Sequence, residues 1–231
     1  MANIGCRIVK DFDRPDQALI EKFAGHATAN LGDCMGRVAG VHEGIVPMNK
    51  GQLLGTAFTV KVPEGDNLMF HLAMDLAKPG DVVVIDAGGA TSRAILGELM
   101  VRYCRKRKLA GIVVDGSIRD LDVISQMTDF PVYAKGVTPD GPYKNGPGEV
   151  NTPVNFGGRV VFPGDIVIGD EDGIVFVRPQ DAEELLEKVE AIVDNEKKII
   201  ETIEKEGTYI RPWVEKTLEA LNAEYVEHEK Y

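Results

Sequence analysis

The spacing of apolar positions changes several times along the chain, and each change marks an element. Leu19, Ile20 and Phe23 share a helical face behind Asp16, a residue type that caps helices, and Gly25 offers a stop. Residues 16–25 are therefore predicted as a short helix, and residues 28–35 as a second one ended by Gly36. Between 55 and 62, Phe58, Val60 and Val62 alternate with Thr59 and Lys61, the two-residue period of a strand. Leu68, Leu72 and Leu76 then recur at helical spacing after Asp66, which predicts a helix over 67–78. The turn Pro79-Gly80-Asp81 feeds an all-apolar run, 82–85, as expected of a strand buried on both faces.

The loop Asp86-Ala87-Gly88-Gly89-Ala90-Thr91-Ser92 is read as leading into a helix over 93–108. Ile95, Leu96, Leu99 and Tyr103 would face inward, and the basic run 105–108 would complement the C-terminal dipole. A further apolar strand over 111–114 completes a βαβ unit, and residues 131–137 form another strand. Residues 138–155, rich in Gly and Pro, are expected to be a long functional or interface loop. Residues 165–168 and 174–177 make a hairpin. Its Pro163-Gly164-Asp165 lead repeats the Pro79-Gly80-Asp81 device. A long amphipathic helix over 181–206 carries the stripe Leu185, Val189, Ile192, Ile199/Ile200 and Ile203. Residues 209–231 are a helical appendage, expected to pack on a neighbour. The expected organisation is one domain over 1–207 and a tail over 208–231.

Composition narrows the classes of function. The 231 residues include 37 acidic and 26 basic ones, a formal charge of −11, which disfavours electrostatic binding of nucleic acid or of anionic membranes. Metal ions, and small anions in a locally basic pocket, stay open. Cys6, Cys34 and Cys104 are too few and too scattered for a disulfide framework or a CxxC zinc site, and a reducing cytoplasm is expected. The first sixteen residues carry early charges and no apolar run, so no secretory leader is expected.

Two strand ends are candidate sites, because α/β proteins place ligands there. Residues 86–98 offer backbone N–H groups at a helix start, suited to a carboxylate or phosphate, although an ordinary turn and cap would look the same. GxGxxG and P-loop patterns are absent. The second is Asp115-Gly116-Ser117-Ile118-Arg119-Asp120. Arg119 can fork a carboxylate and Asp120 can bind a divalent cation; a surface ion pair is the plain alternative. Glu196 is a third clue, since it falls on the apolar stripe of the last helix. There it is paired, metal-linked, at an interface, or simply at an edge that reaches water. The four histidines show no HxxH spacing, and Asp170-Glu171-Asp172-Gly173 lacks the full calcium-loop pattern. Lys61 and Lys135 are possible Schiff-base lysines, but snorkelling accounts for both.

Taken in order, several runs resemble the RraA-like family over about residues 27–177. They are Pro79-Gly80-Asp81 through Gly88-Gly89, Gly97-Glu98-Leu99-Met100, Gly111 through Arg119-Asp120, and Gly146-Pro147-Gly148-Glu149-Val150-Asn151 with Gly157-Gly158. Pro163-Gly164-Asp165 through Asp172-Gly173 completes the set. That family holds class II 4-hydroxy-4-methyl-2-oxoglutarate / 4-carboxy-4-hydroxy-2-oxoadipate aldolases and a regulator of ribonuclease E activity. The aldolases carry an acid, twenty residues, then Arg-Asp; Glu98 and Arg119-Asp120 stand at that spacing, with Glu in place of the more usual Asp.

The resemblance implies an α/β swivelling β/β/α-type single domain with a C-terminal helical extension, assembled as a homotrimer or homohexamer with interfacial sites. It implies Mg2+ or Mn2+ at Asp120 and Arg119 on the pyruvyl group. Its carboxylate would lie against Gly97 and the amides of Leu99 and Met100. Glu98, Asp33 and Glu196 would supply further acids, Glu196 from a neighbouring subunit. The expected activity is pyruvate-forming cleavage of a small 4-hydroxy-2-oxo acid with oxaloacetate decarboxylation. A non-catalytic inhibitor of ribonuclease E, acting by protein contact, is the alternative.

Overall fold

The computed structural model describes residues 4–228. From the N-terminus come β1 (Cys6–Ile8), α1 (Gln17–Glu21), α2 (Thr28–Cys34), β2 (Val46–Pro47), β3 (Leu53–Lys61) and α3 (Leu68–Leu76). Next are β4 (Asp81–Asp86), β5 (Ala94–Leu96), α4 (Glu98–Lys106), β6 (Gly111–Ile118), α5 (Leu121–Ile124) and β7 (Val132–Val137). Then follow β8 (Gly148–Val150), β9 (Val154–Phe156), β10 (Arg159–Val161), β11 (Ile166–Asp170) and β12 (Gly173–Val177). A 3-10 turn (Pro179–Asp181) leads into α6 (Ala182–Glu206), and α7 (Pro212–Ala220) is last. Among the described residues no helix is long and apolar enough to cross a membrane.

The main sheet runs β1-β8-β3-β4-β6-β7-β2, with β11 also paired to β3, β12 to β11 and β5 to β6. Its centre, β3-β4-β6-β7, is parallel. Alternate residues face opposite sides: Val83, Ile85, Ile112 and Val114 pack with α3 and α4, while Val82, Val84 and Val113 pack with Val154, Phe156 and Val161 of the β9–β10 hairpin. Both faces are covered, which is why these strands read as unbroken apolar runs. A third cluster joins α1 and α2 to β11, β12 and the first turns of α6 through Ile20, Leu31, Ile166 and Leu185. The described residues divide into two compact units inside α6, one ending at Val189 and the other starting at Glu190.

The repeated Pro-Gly-Asp device is one structure used twice. In each copy the Asp carboxylate accepts the backbone N–H three residues back, Lys78 to Asp81 at 2.8 Å and Phe162 to Asp165 at 2.9 Å. One copy opens β4 and the other β11, and these two strands flank β3. An arginine completes each. Arg14 forks Asp81 with two bonds of 2.8 Å, whereas Arg178 makes one longer contact of 3.3 Å to Asp165.

The structure corrects several expectations. The helix expected over 93–108 is a strand and a shorter helix. The carbonyl of Ile95 accepts from Asn67, the N–H of Ala94 donates to Asp140, and β5 pairs with β6, so the backbone there is bonded sideways. Leu99 is 81% exposed, and the inward residues of α4 are Val101 and Cys104. Helix α3 buries Met69, Phe70, Ala73 and Met74, with Leu72 and Leu76 at the margin and Leu68 exposed. Strand β6 continues past Val114 to Ile118, so Asp115 is a buried strand residue. The Gly/Pro-rich loop contains β8, held between β1 and β3. The short strands β1, β2 and β10 carry too few residues to show a period. The stripe of α6 is buried at Leu185 and Val189, but Ile200 and Ile203 are exposed. In the tail, α7 is helical, and residues 229–231 lie outside the described residues.

Asp81 is 1% exposed and Arg14 largely covered, so Arg14→Met strands a buried carboxylate and should cost about 3 kcal/mol of stability in urea denaturation. Arg178→Met, at a more open site, should cost less than half as much.

Candidate functional site

Strand β6 delivers Arg119 and Asp120 to its carboxyl end, beside the β5–α4 corner. The Arg119 N–H donates to the Leu96 carbonyl at 3.0 Å, which fixes the register of the two segments. Asp120 then adopts left-handed backbone, φ 59 and ψ 37, a conformation that Asp tolerates better than most residues. This turn brings its carboxylate back to the corner. Oδ2 accepts the Glu98 N–H at 2.9 Å and lies 3.8 Å from Arg119 Nε. A carboxylate at the first turn of α4 is favoured by the unsatisfied N–H groups there. Gly97 makes the approach possible: a Cβ on it would stand 2.9 Å from Arg119 Cγ and closer still to Asp120 Oδ2.

The corner opens on a cavity of about 290 Å3. One wall is Gly97, Glu98, Leu99 and Met100 with Arg119 and Asp120. The other comes from α3 and the 138–147 loop, through Asn67, His71, Pro142 and Lys144. Asn67 donates to the Ile95 carbonyl at 2.8 Å, and its Oδ1 is buried without a hydrogen-bond partner. Partial burial, and then the charge of Lys144, hold the His71 imidazole below its ordinary pKa, so it is neutral at pH 7. The side chains of Arg119 and Asp120 remain about half exposed and within reach of a ligand.

The sequence candidates thus divide. Arg119, Asp120, Gly97, Glu98, Leu99 and Met100 line one cavity. The carboxylate of Glu98 is drawn along its helix to Arg102, 2.6 Å away, and it is the Glu98 amide that touches Asp120. The Met100 N–H donates to the Gly97 carbonyl at 3.1 Å. Asp33 is not brought there within one chain. It pairs with Arg37 at 2.9 Å and lines a separate cleft of about 320 Å3 with Thr28 and His42. Glu196 is exposed on α6, in the other compact unit.

The Gly88-Gly89 loop leads to β5, so the useful helix start is at Gly97. Lys135 lies 3.6 Å from Asp115 as an ion pair, and Lys61 is exposed. Asp170 accepts from the N–H and hydroxyl of Thr28, which ties the hairpin to α2. Asn67, His71 and Lys144 were missed; the only sequence signals were the cap at Asp66 and the Gly/Pro-rich loop.

A sequence profile described as RraA-like, Aldolase/RraA, matches residues 28–176. A Halalkalibacterium halodurans protein named as a candidate 4-hydroxy-4-methyl-2-oxoglutarate aldolase is 34% identical over 200 residues, covering 86% of this chain and 95% of its own. A protein of the same name from Ectopseudomonas mendocina is 42% identical over 126 residues, 54% of this chain and 76% of its own. Among solved structures, an uncharacterized protein from Pseudomonas syringae pv. tomato superposes with a TM-score of 0.76 at 25% identity, covering 86% of this chain and 93% of that one. A Streptomyces coelicolor member of the RNase ES inhibitor RraA family gives 0.68 at 28% identity, covering 80% and 96%.

Because the corner has no room for a side chain, Gly97→Ala should lower unfolding free energy by about 1–3 kcal/mol in urea denaturation. Truncating the exposed Leu99 to Ala should change it by less than about 0.5 kcal/mol.

Proposed function

This chain belongs to the RraA-like family, and we propose that within it the chain is a divalent-metal-dependent lyase. Its reaction would be cleavage of a 4-hydroxy-2-oxo acid of the 4-hydroxy-4-methyl-2-oxoglutarate type to release pyruvate. Decarboxylation of oxaloacetate would follow from the same chemistry. The observation that carries the reading is the pairing of Arg119 with Asp120 at the mouth of α4, in a cavity of small-molecule size. The names of the aldolase relatives support it.

Both reactions break the bond between C3 and C4 and send its electron pair toward the 2-keto oxygen. The arrangement must therefore stabilise negative charge at that oxygen. Arg119 is the group suited to do so, with a planar fork that is always charged. The first turn of α4 offers the Leu99 amide to the adjacent carboxylate, since the Glu98 and Met100 N–H groups are bonded to Asp120 and Gly97. A water ordered between Arg119 and the neighbouring acids would take the 4-hydroxyl proton.

Asp120 fits a hard divalent cation. Magnesium commonly takes one or two carboxylates, keeps several waters and binds the substrate as well. Among the described residues no group of three or more His, Cys, Asp or Glu is placed to build an all-protein cage. When bound, Mg2+ or Mn2+ would supply Lewis-acid polarisation of the keto group. In the homotrimer or homohexamer that we propose, Asp33 and Glu196 would complete the site from a neighbouring subunit.

The second reading, inhibition of ribonuclease E by protein contact, draws on the likeness to the Streptomyces coelicolor structure. It makes no use of the Arg119–Asp120 corner, so the two readings separate by mutation. With magnesium and 4-hydroxy-4-methyl-2-oxoglutarate or oxaloacetate, pyruvate formation should fall by about 100-fold or more in Arg119→Ala. EDTA should abolish turnover, and added Mg2+ or Mn2+ should restore it. EDTA-resistant turnover that borohydride traps with substrate would point to a Schiff-base lysine and overturn the proposal.

A further inference from the structure

We propose that Gly141 and Arg93 are positioning residues for Arg119. With Gly97 they make a slot that orients the Arg119 guanidinium by shape and leaves its N–H groups to the ligand. The inference rests on the keto-acid reading of the cavity and adds how its cation is held. Three observations carry it.

First, the Arg119 side chain lies between two glycines. At its stem, a Cβ on Gly97 would stand 2.9 Å from Cγ and 3.1 Å from Nε. At its tip, a Cβ on Gly141 would stand 3.1 Å from Nη1. Chain neighbours aside, Nη1 is the one heavy atom within 4 Å of that point among the described residues. The φ of Gly141 lies outside the left-handed region, so backbone conformation does not call for glycine there. What a side chain at position 141 would meet is Arg119.

Second, position 141 is itself fixed. Arg93 Nη1 donates to the Gly141 carbonyl at 2.9 Å, and the Ala94 N–H donates to the Asp140 carbonyl at 2.8 Å. The Thr138 N–H donates to the Ile118 carbonyl at 3.0 Å, which seats the start of the loop against the residue before Arg119. Arg93 is packed in its turn. A Cβ on Gly65 would stand 2.8 Å from Arg93 Cδ, and the guanidinium covers the Tyr143 ring at 4.3 Å. Arg93 thus holds the peptide that bounds the tip of Arg119.

Third, Arg119 is held without being neutralised. Among the described residues its one ion-pair partner is Asp120, 3.8 Å from Nε and beyond hydrogen-bond reach. Asp120 Oδ2 accepts the Glu98 N–H instead. A guanidinium fixed by carboxylate forks would commit its donors to the protein. One fixed by contact keeps its planar fork for a carboxylate or keto oxygen. Restricting its rotamers beforehand also lowers the entropy lost when a ligand is gripped.

The test is a double-mutant cycle read by calorimetric titration of the full chain with pyruvate and Mg2+, which requires no turnover. Gly141→Val pushes into Nη1 and should weaken pyruvate binding about tenfold, and Gly141→Ala about threefold. Both should leave the melting temperature within about 2 °C of the wild type. In an Arg119→Lys background, which lacks the guanidinium tip, the same substitutions should change binding by less than about twofold. Arg93→Met should weaken binding about threefold, whereas Arg93→Lys, which keeps a donor for the Gly141 carbonyl, should not. Unchanged binding in Gly141→Val overturns the slot and leaves the keto-acid reading intact. So does an equal loss in the Arg119→Lys background, which marks an effect on the fold rather than on Arg119. Should Gly141→Val unfold, Gly141→Ala decides by the same comparison. No binding of pyruvate by the wild type defeats the keto-acid reading, and the slot with it.

Discussion

The close contact at Gly97 sets the geometry on which the site depends. Strand β5 ends there, helix α4 begins there, and the end of β6 passes beneath with Arg119 and Asp120. With hydrogen in place of a side chain, the carboxylate of Asp120 reaches the Glu98 amide, and the Arg119 stem passes alongside. Without that approach Asp120 would lose its anchor on the helix start. Its left-handed backbone would then be compensated only by the bonds that its carbonyl accepts from Val123 and Ile124 at the start of α5. The corner is thus a packing constraint whose consequence is electrostatic: it holds a guanidinium and a carboxylate side by side at the edge of a cavity.

The opposite wall is organised by a different device. Asp66, buried and bonded through both oxygens to backbone N–H groups, clips the 138–147 loop to the start of α3. The cavity is therefore framed by two carboxylates that both accept N–H groups at helix starts. Asp120 keeps substantial exposure and remains available to a ligand, whereas Asp66 is wholly occupied with structure. The same chemical group is left open to a ligand or committed to architecture according to how much of it the fold exposes.

The repeated Pro-Gly-Asp turns show how much local sequence can specify. Both were legible as turn-to-strand leads, and both use the Asp side chain to close the turn. The hairpin β11–β12 was legible for a similar reason: its signals lie within a few residues of one another. The segment 93–108 failed for the opposite reason. Its apolar spacing suits a helix, but Asn67, Asp140 and β6 satisfy its first backbone groups from elsewhere in the chain. Helical spacing cannot report a hydrogen bond supplied by residues tens of positions away.

The central strands and their turns, the family resemblance, and the choice of Glu98, Arg119 and Asp120 as site candidates were within reach of the sequence. Those features depend on near neighbours or on motif spacing. The tertiary structure decided that the Glu98 carboxylate turns to Arg102 while its amide meets Asp120. It decided that Asp33 lines another cleft of the same chain, and that Asn67, His71 and Lys144 close the cavity. Which side chains share a pocket depends on how distant segments pack, and linear spacing carries no measure of that distance.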